Sequence, residues 1–529
     1  MRDDGSENIN ALTRALARGV ATNLIGFAIR SILVFVHSFL AVRLYGAEFY
    51  GVYAIGIAVV SLLSFIGQLG LARTVTRFVA LHQARNEPKH IVGTLQLVLR
   101  ISMPVSIGIA LALAIGAEPL ANLFGEPVLV SSCFRVLALA VPALTLATIL
   151  SAFTEGFKQM RYRVIALDIV RPGVELLGLV MLFCLGARHL GLPVAYTLSV
   201  VLSGGLLICY AKLHLRRLVE AVATPASVSP VTPLKPLLGF AVPVLAVDVL
   251  MIATQRAGVL MLGMLGTSAM VGVLSILRQM VGIGMIFVMA MNFMFGPMVA
   301  ELVEGRRFDE LSYLYKVSTR WMLAATMPFF LVLGFFGAEI LQIFGREFVG
   351  GSGVLWYLIA AAIFTVSVGV CGVILMMSGR PQYSVANEAI VLTTVVGLSL
   401  LFIPRYGLRG AVWASVAGAV LVNTLRVFQV WWHLRVHPYS WSLLKVAVAG
   451  VTMTAVLWIW KAYALQGRGV WYLLMLGSGI ALLAYGVVLV TLGLDGTEMA
   501  MLRSLQSRAG RLRAIPVQSC RRQDTEASK

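Results

Sequence analysis

Long apolar runs separated by short polar segments make up most of this chain. A helix needs about 20 predominantly apolar residues to cross the hydrocarbon core of a bilayer. The pattern predicts an all-α polytopic membrane protein with about fourteen transmembrane helices. The predicted spans lie near residues 19–43, 52–76, 91–115, 128–153, 164–186, 192–211, 237–264, 271–297, 318–340, 353–377, 384–403, 410–432, 441–460 and 470–492.

The composition agrees with this class of protein. The 529 residues are 59% hydrophobic and 12% charged, whereas soluble domains are about half apolar and a quarter charged. The polar start of the chain leads into a run long enough to stay in the bilayer, so we expect no cleavable signal peptide. The five cysteines form no CxxC motif and no cluster with histidine, so we expect neither a metal site nor a disulfide framework.

Basic residues outnumber acidic ones, 42 Lys and Arg against 23 Asp and Glu, which gives a formal charge of +19. The excess gathers in alternate short loops and in the C-terminal tail, as is typical of loops that face the cytoplasm and anionic lipid. The charge therefore does not indicate a nucleic-acid partner. We predict that both termini are cytoplasmic, residues 1–18 as the N-terminus and residues 493–529 as a basic tail.

The two halves of the chain repeat each other. LANLFGEP around Gly125 returns as LQIFGREF around Gly345. LYGAEFYGV around Gly46 returns more weakly as LGTSAMVGV around Gly266, at the same offset. A repeat of six spans keeps its orientation, so we predict two six-helix lobes related by a pseudo-twofold axis along the membrane normal. The predicted parts are an N-lobe at 19–217, a cytoplasmic linker at 218–236, a C-lobe at 237–432 and two more helices in 441–492.

Several stretches are similar to a known family of exporters. RLYGAEFYGVYAIG followed by GLARTVTRFVA resembles the first loop and second helix of Wzx-type polysaccharide exporters. FAVPVLAVDVLMIATQRAGVLMLGMLG resembles the opening of that family's second half, and MSGRPQYSVANEAI leading into LFIPRYGLRGAVWAS is similar again. The resemblance covers about residues 15–435. It indicates the multidrug/oligosaccharidyl-lipid/polysaccharide (MOP) exporter superfamily.

The resemblance implies a transporter and not an enzyme. Its two lobes would pack as a V around a central cavity and work by alternating access. The implied cargo is undecaprenyl-pyrophosphate-linked oligosaccharide, flipped from the inner to the outer leaflet of the bacterial inner membrane for lipopolysaccharide or exopolysaccharide biosynthesis. Expected partners are this cargo, membrane lipids, a polysaccharide polymerase and a chain-length regulator. A multidrug or cation antiporter, and a flippase for the peptidoglycan lipid precursor, are the alternatives.

Ionisable side chains inside the spans are candidate functional residues, since each costs about 2.5–3.5 kcal/mol to insert. In the first helix Asn23, Arg30 and His37 are spaced by seven residues and form a polar stripe on one face. Arg30 lies roughly 16 Å along the helix, too deep to reach water easily. The stripe either pairs with another helix or forms the cationic wall of a cavity.

The cavity interpretation is strengthened by two further arginines, because the resemblance places the seventh and eighth helices at the lobe interface. Pyrophosphate oxygens accept bidentate guanidinium bonds, which are strong in a low-dielectric cavity. A site for cationic drugs would instead need carboxylates facing inward. The predicted pyrophosphate site comprises Asn23, Arg30, His37, Arg256 and Arg278.

Two places could couple transport to an ion. Asp248 and Gln255 share a face of the seventh helix, and Asn387 and Glu388 lie near the inner end of the eleventh. Carboxylate and amide oxygens suit a proton or Na⁺, so either is a candidate coupling ion, and we expect no cofactor. The alternative for Asp248 is simple pairing with Arg256 or another arginine.

The remaining charged residues in the spans are less clearly functional. Arg73 and Arg77, at the inner end of the second helix, either line the cavity mouth or anchor the helix at the membrane surface. Asp168, Arg171 and Glu175 follow one another at i, i+3 and i+7, and we expect them to neutralise one another locally.

Overall fold

The computed structural model describes residues 3–157, 159–187, 189–220, 234–378, 381–464 and 470–492. The regular secondary structure in these ranges is entirely helical. The chain divides into two compact units, Met1–Tyr439 and Ser440–Lys529. Most of the predicted linker at 218–236 and the whole predicted tail at 493–529 lie outside the described residues.

The first half of the larger unit begins with a long kinked helix and ends before residue 221. Its elements are α1 (Asp3–Gln68), α2 (Leu71–Ala84), α3 (Pro88–Ile115), α4 (Ala117–Ala121), α5 (Pro127–Ala138), α6 (Ala140–Gly156), α7 (Met160–Arg163), a π-helix (Val164–Val170), α8 (Arg171–Cys184) and α9 (Gly191–Glu220). The π-helix joins α7 to α8 through residues of helical conformation, so these three elements form one helical segment.

The helix α1 is two helices joined at Gly46, where φ is 85° and ψ is 170°. Glycine adopts such a conformation at little cost because it has no Cβ. The first two predicted spans therefore follow each other directly, without a loop between them. The second predicted span, 52–76, is interrupted between the end of α1 and the start of α2, where Leu69 and Gly70 have φ values of 53° and 70°.

The second half of the larger unit has a similar succession of long and short helices. They are α10 (Leu234–Leu265), α11 (Ser268–Gly284), α12 (Ile286–Glu304), α13 (Phe308–Phe335), α14 (Gly337–Phe344), α15 (Arg346–Val349), α16 (Ser352–Ser367), α17 (Cys371–Met377), α18 (Pro381–Tyr406) and α19 (Leu408–Leu434). The start of α11 is capped by Thr267, whose side chain accepts a hydrogen bond from the Met270 amide at 3.4 Å.

The smaller unit contributes α20 (Ser442–Ala464) and α21 (Val470–Thr491). These two helices pack closely at Gly477, where an added Cβ would lie 2.4 Å from the indole ring of Trp460. A glycine therefore lets the helices approach each other, as is common inside membranes.

Within the described residues, nine helices are long and apolar enough to cross a membrane. The number is eleven when each of two bent helix pairs is counted as one span, α5 with α6 at 40° and α16 with α17 at 47°. The protein is therefore a multi-pass membrane protein. The figure differs from the predicted fourteen partly because α1 is counted once, although Gly46 divides it.

The two halves of the larger unit touch most closely near Gly46, at what we call the Gly46 end of the molecule. An added Cβ on Gly51 would lie 1.7 Å from the Ser268 carbonyl oxygen, and one on Gly272 would lie 2.3 Å from the Ala47 carbonyl oxygen. The backbones of α1 and α11 are thus in direct contact, and side chains larger than hydrogen do not fit between them.

A second contact between the halves lies toward the turn that contains Asn86, at what we call the Asn86 end. An added Cβ on Gly70 would lie 2.2 Å from the Ala241 carbonyl oxygen of α10. Leu237 and Ala241 belong to the same buried cluster as Leu71. The halves are therefore held together at both ends of the larger unit.

We predict that Gly51→Ala destabilises the protein, because the new methyl group would force α1 and α11 apart. Overpacking of this kind costs about 1–3 kcal/mol, and thermal unfolding of the purified protein in detergent should show a lower midpoint. The matched control is Gly108→Ala in α3, where an added Cβ would have no heavy atom within 4 Å. Equal unfolding midpoints for the two variants would show that the close contact at Gly51 is not formed.

Candidate functional site

A cavity of about 470 Å³ lies inside the larger unit, between α1, α8, α9, α10 and α11. Both halves of the chain contribute to its wall, which carries four arginines, one glutamate, one histidine and three tyrosines. These residues are Arg30, His37, Tyr50, Tyr53, Arg171, Glu175, Tyr196, Arg256 and Arg278. The wall is completed by smaller polar and apolar side chains, among them Ser38, Gln255, Ser275 and Gln279.

The helix α1 supplies cavity residues on both sides of its kink. Arg30 and His37 are seven residues apart before Gly46, and both face the cavity as the heptad spacing predicts. Tyr50 and Tyr53 follow the kink and return to the same space. The fold at Gly46 thus places two consecutive spans beside one cavity.

A change of helix type positions the residues from α8. The π-helix Val164–Val170 ends immediately before Arg171, and Pro172 occupies the first turn of α8. A π segment rotates the residues that follow it relative to a regular α-helix, and such segments are frequent at functional sites. Because the helix runs on from the π segment without a break, Pro172 removes one backbone donor from a continuous helical segment, and prolines inside helices are a common cause of such irregularities.

The first arginine has an acidic partner. Arg30 Nη1 lies 3.5 Å from Asp168 Oδ1, and the Arg30 side chain is 45% exposed whereas that of Asp168 is 1% exposed. The guanidinium therefore faces the open cavity while its counter-ion is buried behind it. The local neutralisation expected for Asp168, Arg171 and Glu175 is incomplete: both carboxylates act electrostatically on Arg171, but Asp168 also pairs with Arg30 of α1.

The second arginine is held by an aromatic partner. Arg171 Nη2 donates a hydrogen bond to Tyr196 Oη at 3.0 Å, and the guanidinium carbon lies 5.0 Å from the centre of the same ring. The tyrosine thus orients this arginine by a hydrogen bond and a cation–π contact without neutralising it.

Glu175 is the carboxylate on the cavity wall. Its Oε1 accepts a hydrogen bond from Tyr53 Oη and lies 3.5 Å from His37 Nε2. Tyr50 lies beside this group, with its hydroxyl donating to Ser38 Oγ at 3.0 Å. The carboxylate thus accepts a hydrogen bond from Tyr53 and also acts electrostatically on Arg171.

The remaining two arginines have few partners. Arg256 Nη2 donates to Ser61 Oγ at 3.4 Å, while its Nε is buried without a hydrogen bond. Arg278 Nη1 is likewise buried without one. In the part of the chain that the structure describes, Arg171, Arg256 and Arg278 form no ion pair with a carboxylate. Buried guanidinium groups are costly unless paired, so the cavity is suited to an anion that supplies oxygen acceptors.

The structure separates the two members of the first candidate ion-coupling pair. Gln255 lies on the cavity wall, whereas Asp248 pairs with Arg73 of α2, with 2.7 Å between Nη2 and Oδ1. The neighbouring Arg77 stacks on Phe240 of α10, 4.4 Å from the ring centre. Arg73 and Arg77 thus lie outside the cavity lining and connect α2 to α10.

The second candidate pair is also occupied by other side chains. Asn387 and Gln429 exchange two amide hydrogen bonds, each of 2.8 Å. Glu388 accepts a hydrogen bond from Arg426 Nη2 at 2.8 Å. Both interactions join α18 to α19 within the second half of the larger unit.

One predicted residue cannot be placed by its side chain. Asn23 belongs to α1, but its side chain lies outside the described part of the structure. Tyr53 and Tyr196 were not predicted, and Arg171 and Glu175 were expected to have a local structural role. Pro172 was the sequence feature that could have drawn attention to this region. A proline next to a charged residue within a span indicates an irregular helix.

A pair of carboxyl groups lies at the Gly46 end, outside the cavity. Glu126 precedes α5 and has a buried Oε2 without a hydrogen bond. Burial, and secondarily the nearby Glu48 carboxyl, raise the pKa of the Glu126 carboxyl above its ordinary value. Ser268 of α11 borders the same group.

Three solved structures share this fold over nearly their whole length. The lipid II flippase MurJ, in an inward closed conformation, gives a TM-score of 0.66 at 12% identity and covers 88% of this chain and 97% of its own. A multidrug resistance MATE family transporter in an inward-facing conformation gives 0.57 at 15% identity, covering 79% and 94%. A MOP superfamily transporter from Pyrococcus furiosus gives 0.55 at 15% identity, covering 80% and 95%. The fold is that of MOP-superfamily membrane transporters.

The family model for polysaccharide biosynthesis proteins matches residues 16–303, more than half of the 529 residues. The chain therefore belongs to the polysaccharide biosynthesis protein family. The polysaccharide family predicted from the sequence is confirmed, and the fold is shared with solved MOP-superfamily transporters. No curated protein matches the chain.

We predict that breaking the ion pair between Arg73 and Asp248 lowers the stability of the protein, whereas exchanging the two charges between these positions preserves it. Asp248→Arg would place two cations together and lower the thermal unfolding midpoint in detergent, because like charges repel at this distance. The double variant Arg73→Asp/Asp248→Arg should recover most of the loss. No recovery in the double variant would show that the two side chains do not interact.

We predict that Glu126→Gln stabilises the protein at neutral pH. A carboxyl with a raised pKa binds its proton more tightly in the folded state, so stability falls as pH rises from the ordinary value of 4.5 through the raised pKa. The gain from Glu126→Gln in thermal unfolding should therefore be larger at pH 7 than near pH 4. The control is Glu301→Gln, whose side chain is 79% exposed. An equal gain at both pH values would contradict the prediction.

Proposed function

We propose that the protein flips undecaprenyl-pyrophosphate-linked oligosaccharide from the inner to the outer leaflet of the bacterial inner membrane. The product would enter lipopolysaccharide or exopolysaccharide biosynthesis. Family membership supports the polysaccharide context. The substrate itself is inferred from the chemistry of the cavity.

The observation that carries this proposal is the group of four arginines around one cavity. Three of them form no ion pair with a carboxylate in the described residues, and two have buried nitrogens without acceptors. A pyrophosphate offers several oxygens in the geometry that guanidinium groups bind bidentately. We therefore propose Arg30, Arg171, Arg256 and Arg278 as its ligands, with His37 and Asn23 as further members of the site.

The remaining cavity wall suits a sugar. Tyr50, Tyr196, Gln255 and Gln279 present hydroxyl and amide groups beside aromatic faces, and such groups hydrogen-bond to sugar hydroxyls. The volume of about 470 Å³ falls within the usual range of ligand cavities. It fits the pyrophosphate with the first sugars, while the lipid chain would stay in the bilayer.

Cargo binding would give Arg30 a second acidic partner in addition to Asp168. Its counter-ion Asp168 is buried behind it at 3.5 Å, a long contact for an ion pair. A phosphate oxygen entering from the cavity would bind the exposed side of the same guanidinium. Asp168 would thus keep Arg30 in place between transport cycles without blocking the site.

We propose that the architecture is fourteen transmembrane helices in two six-helix lobes plus two C-terminal helices. The proposal counts α1 as two spans at Gly46, α7 with the π-helix and α8 as one span, and α11 with α12 as one span, and it includes the shorter apolar helix in residues 475–491. In the proposed orientation both termini are cytoplasmic, so the Gly46 end faces the periplasm. The contacts at the two ends would then part alternately to admit and release the cargo.

The coupling ion would be H⁺ or Na⁺, and two places remain proposed for it. Asp248 would bind the ion when its contact with Arg73 opens, and Gln255 would sense the cargo from the cavity wall. Asn387 and Glu388 form the second proposed place, next to Arg426. Proposed protein partners are a polysaccharide polymerase and a chain-length regulator.

The main alternatives differ in cargo. A multidrug or cation antiporter would need negative charge in the cavity, and the four arginines oppose it. A flippase for the peptidoglycan lipid precursor shares the pyrophosphate chemistry, and the fold match to a lipid II flippase favours it as the second candidate. The same experiment separates all three.

We expect deletion of the gene to accumulate undecaprenyl-pyrophosphate oligosaccharide while surface polysaccharide falls, measured by lipid extraction and mass spectrometry. Wild type should reverse both changes. The Arg278→Ala variant should fail to reverse either change. Its transport rate should fall roughly 10- to 150-fold, because the loss of one charge-assisted hydrogen bond costs about 1.5–3 kcal/mol. Arg278→Lys should be intermediate, because it keeps the charge and loses the fork.

The matched control for Arg278→Ala is Arg100→Ala, because Arg100 is exposed on α3 and does not line the cavity. All variants must be present in the membrane at equal amounts. Accumulation of the peptidoglycan precursor with cell lysis would support the second candidate. Drug sensitivity without any accumulated lipid-linked sugar would overturn the flippase proposal.

A further inference from the structure

A group of three side chains with metal-binding chemistry lies at the Asn86 end, apart from the cavity. His82 comes from the last turn of α2, Glu87 directly precedes α3, and His90 lies in the first turn of α3. One ligand atom from each residue lies within 4.8 Å of the other two. Two imidazoles and a carboxylate are a donor set that zinc-type cations bind.

The distances within the group are close to those of a metal site. Glu87 Oε2 lies 2.7 Å from His82 Nδ1 and 3.9 Å from His90 Nδ1. A tetrahedral Zn²⁺ with bonds of about 2.0–2.2 Å holds neighbouring ligand atoms about 3.3 Å apart. The observed distances lie on either side of this value, and all three atoms lie within 4.8 Å of one another. Rotation of the two stacked rings toward a common point would bring the three atoms to one ion.

The backbone between the ligands is fixed by the turn. Asn86 adopts a φ of 53°, and Pro88 begins α3. The Glu87 amide donates to the His82 carbonyl at 2.9 Å, and the His90 amide donates to the Glu87 carbonyl at 3.1 Å. The ligands are therefore largely pre-organised, which reduces the ordering cost of binding.

The side chains also provide both a buried anchor and an open side. The rings of His82 and His90 are stacked, with centres 5.1 Å apart and an interplanar angle of 18°. His82 is 10% exposed, whereas His90 and Glu87 are 38% and 35% exposed. An ion could therefore reach the group from solvent and keep water as its fourth ligand.

We propose that His82, Glu87 and His90 bind a divalent transition-metal ion of the zinc type. The site would staple the turn between α2 and α3. Because α2 also carries Arg73 and Arg77, which contact α10, an ion here would stiffen the helix that holds the two halves together at the Asn86 end. This inference is independent of the cargo proposed for the cavity.

The test uses the full chain purified with a tag that contains no histidine, after removal of bound metal by a chelator. Co²⁺ is added as a spectroscopic probe, and Zn²⁺ affinity is then measured by competition with a chromogenic chelator. We expect one equivalent of Co²⁺ per chain with the visible absorption of a tetrahedral site. Zn²⁺ should also raise the thermal unfolding midpoint.

Two variants assign the ion to these residues. His90→Ala and Glu87→Ala should each weaken Zn²⁺ binding at least tenfold and abolish the thermal shift. They alter exposed or half-exposed side chains, so the metal-free proteins should unfold at midpoints near that of wild type. The control His189→Ala removes an exposed histidine of another turn and should bind like wild type.

The proposal fails if the wild-type protein binds no Co²⁺, or if His90→Ala and Glu87→Ala bind Zn²⁺ as tightly as wild type. Loss of binding in His189→Ala alone would also overturn it, by assigning the ion to a different group.

Discussion

Guanidinium groups that lie inside a membrane protein must be given oxygen acceptors, and this requirement organises the larger unit. Four arginines surround one cavity, and the described protein supplies only partial compensation. Asp168 pairs with Arg30, while Arg171 has the hydroxyl of Tyr196. Placing such groups costs several kcal/mol each unless they are paired. Without a ligand, the folded protein carries the free-energy cost of these incompletely paired guanidinium groups. An anion that supplies oxygen acceptors would remove part of that cost when it binds.

The irregular parts of the helices are what make this arrangement achievable. Gly46 folds two spans back beside each other, so that α1 reaches the cavity twice. The π-helix directly precedes Arg171 and contains Asp168, which pairs with Arg30 of α1. Glu175, in the regular helix that follows, accepts a hydrogen bond from Tyr53. The deviations from regular structure therefore direct the charges toward different partners.

The features that could be predicted from the sequence are those with local causes. The length of the apolar runs identified a membrane protein. The heptad spacing of Arg30 and His37 placed both side chains on one helix face, and in the structure both line the same cavity. The partners were beyond reach, because they depend on contacts between distant segments. Asp248 meets Arg73 across 175 positions of sequence, and no spacing rule connects them. The pairing of Asp168 with Arg30 was missed as well, because the periodicity argument compared only residues on the same helix.

Close glycine packing holds the two halves together at both ends, and at the Asn86 end an ion pair is added to it. At the Gly46 end, glycines allow backbone-to-backbone packing, which is lost over a small separation because dispersion forces act over short distances. At the Asn86 end, Arg73 and Asp248 form an ion pair whose arginine is 52% exposed. Its aspartate is only 10% exposed, so breaking the pair would leave a buried carboxylate without its counter-ion. An ion or a charged cargo that competes for Arg73 or Asp248 would therefore act at the Asn86 end, where the Gly70 contact with α10 must separate as well.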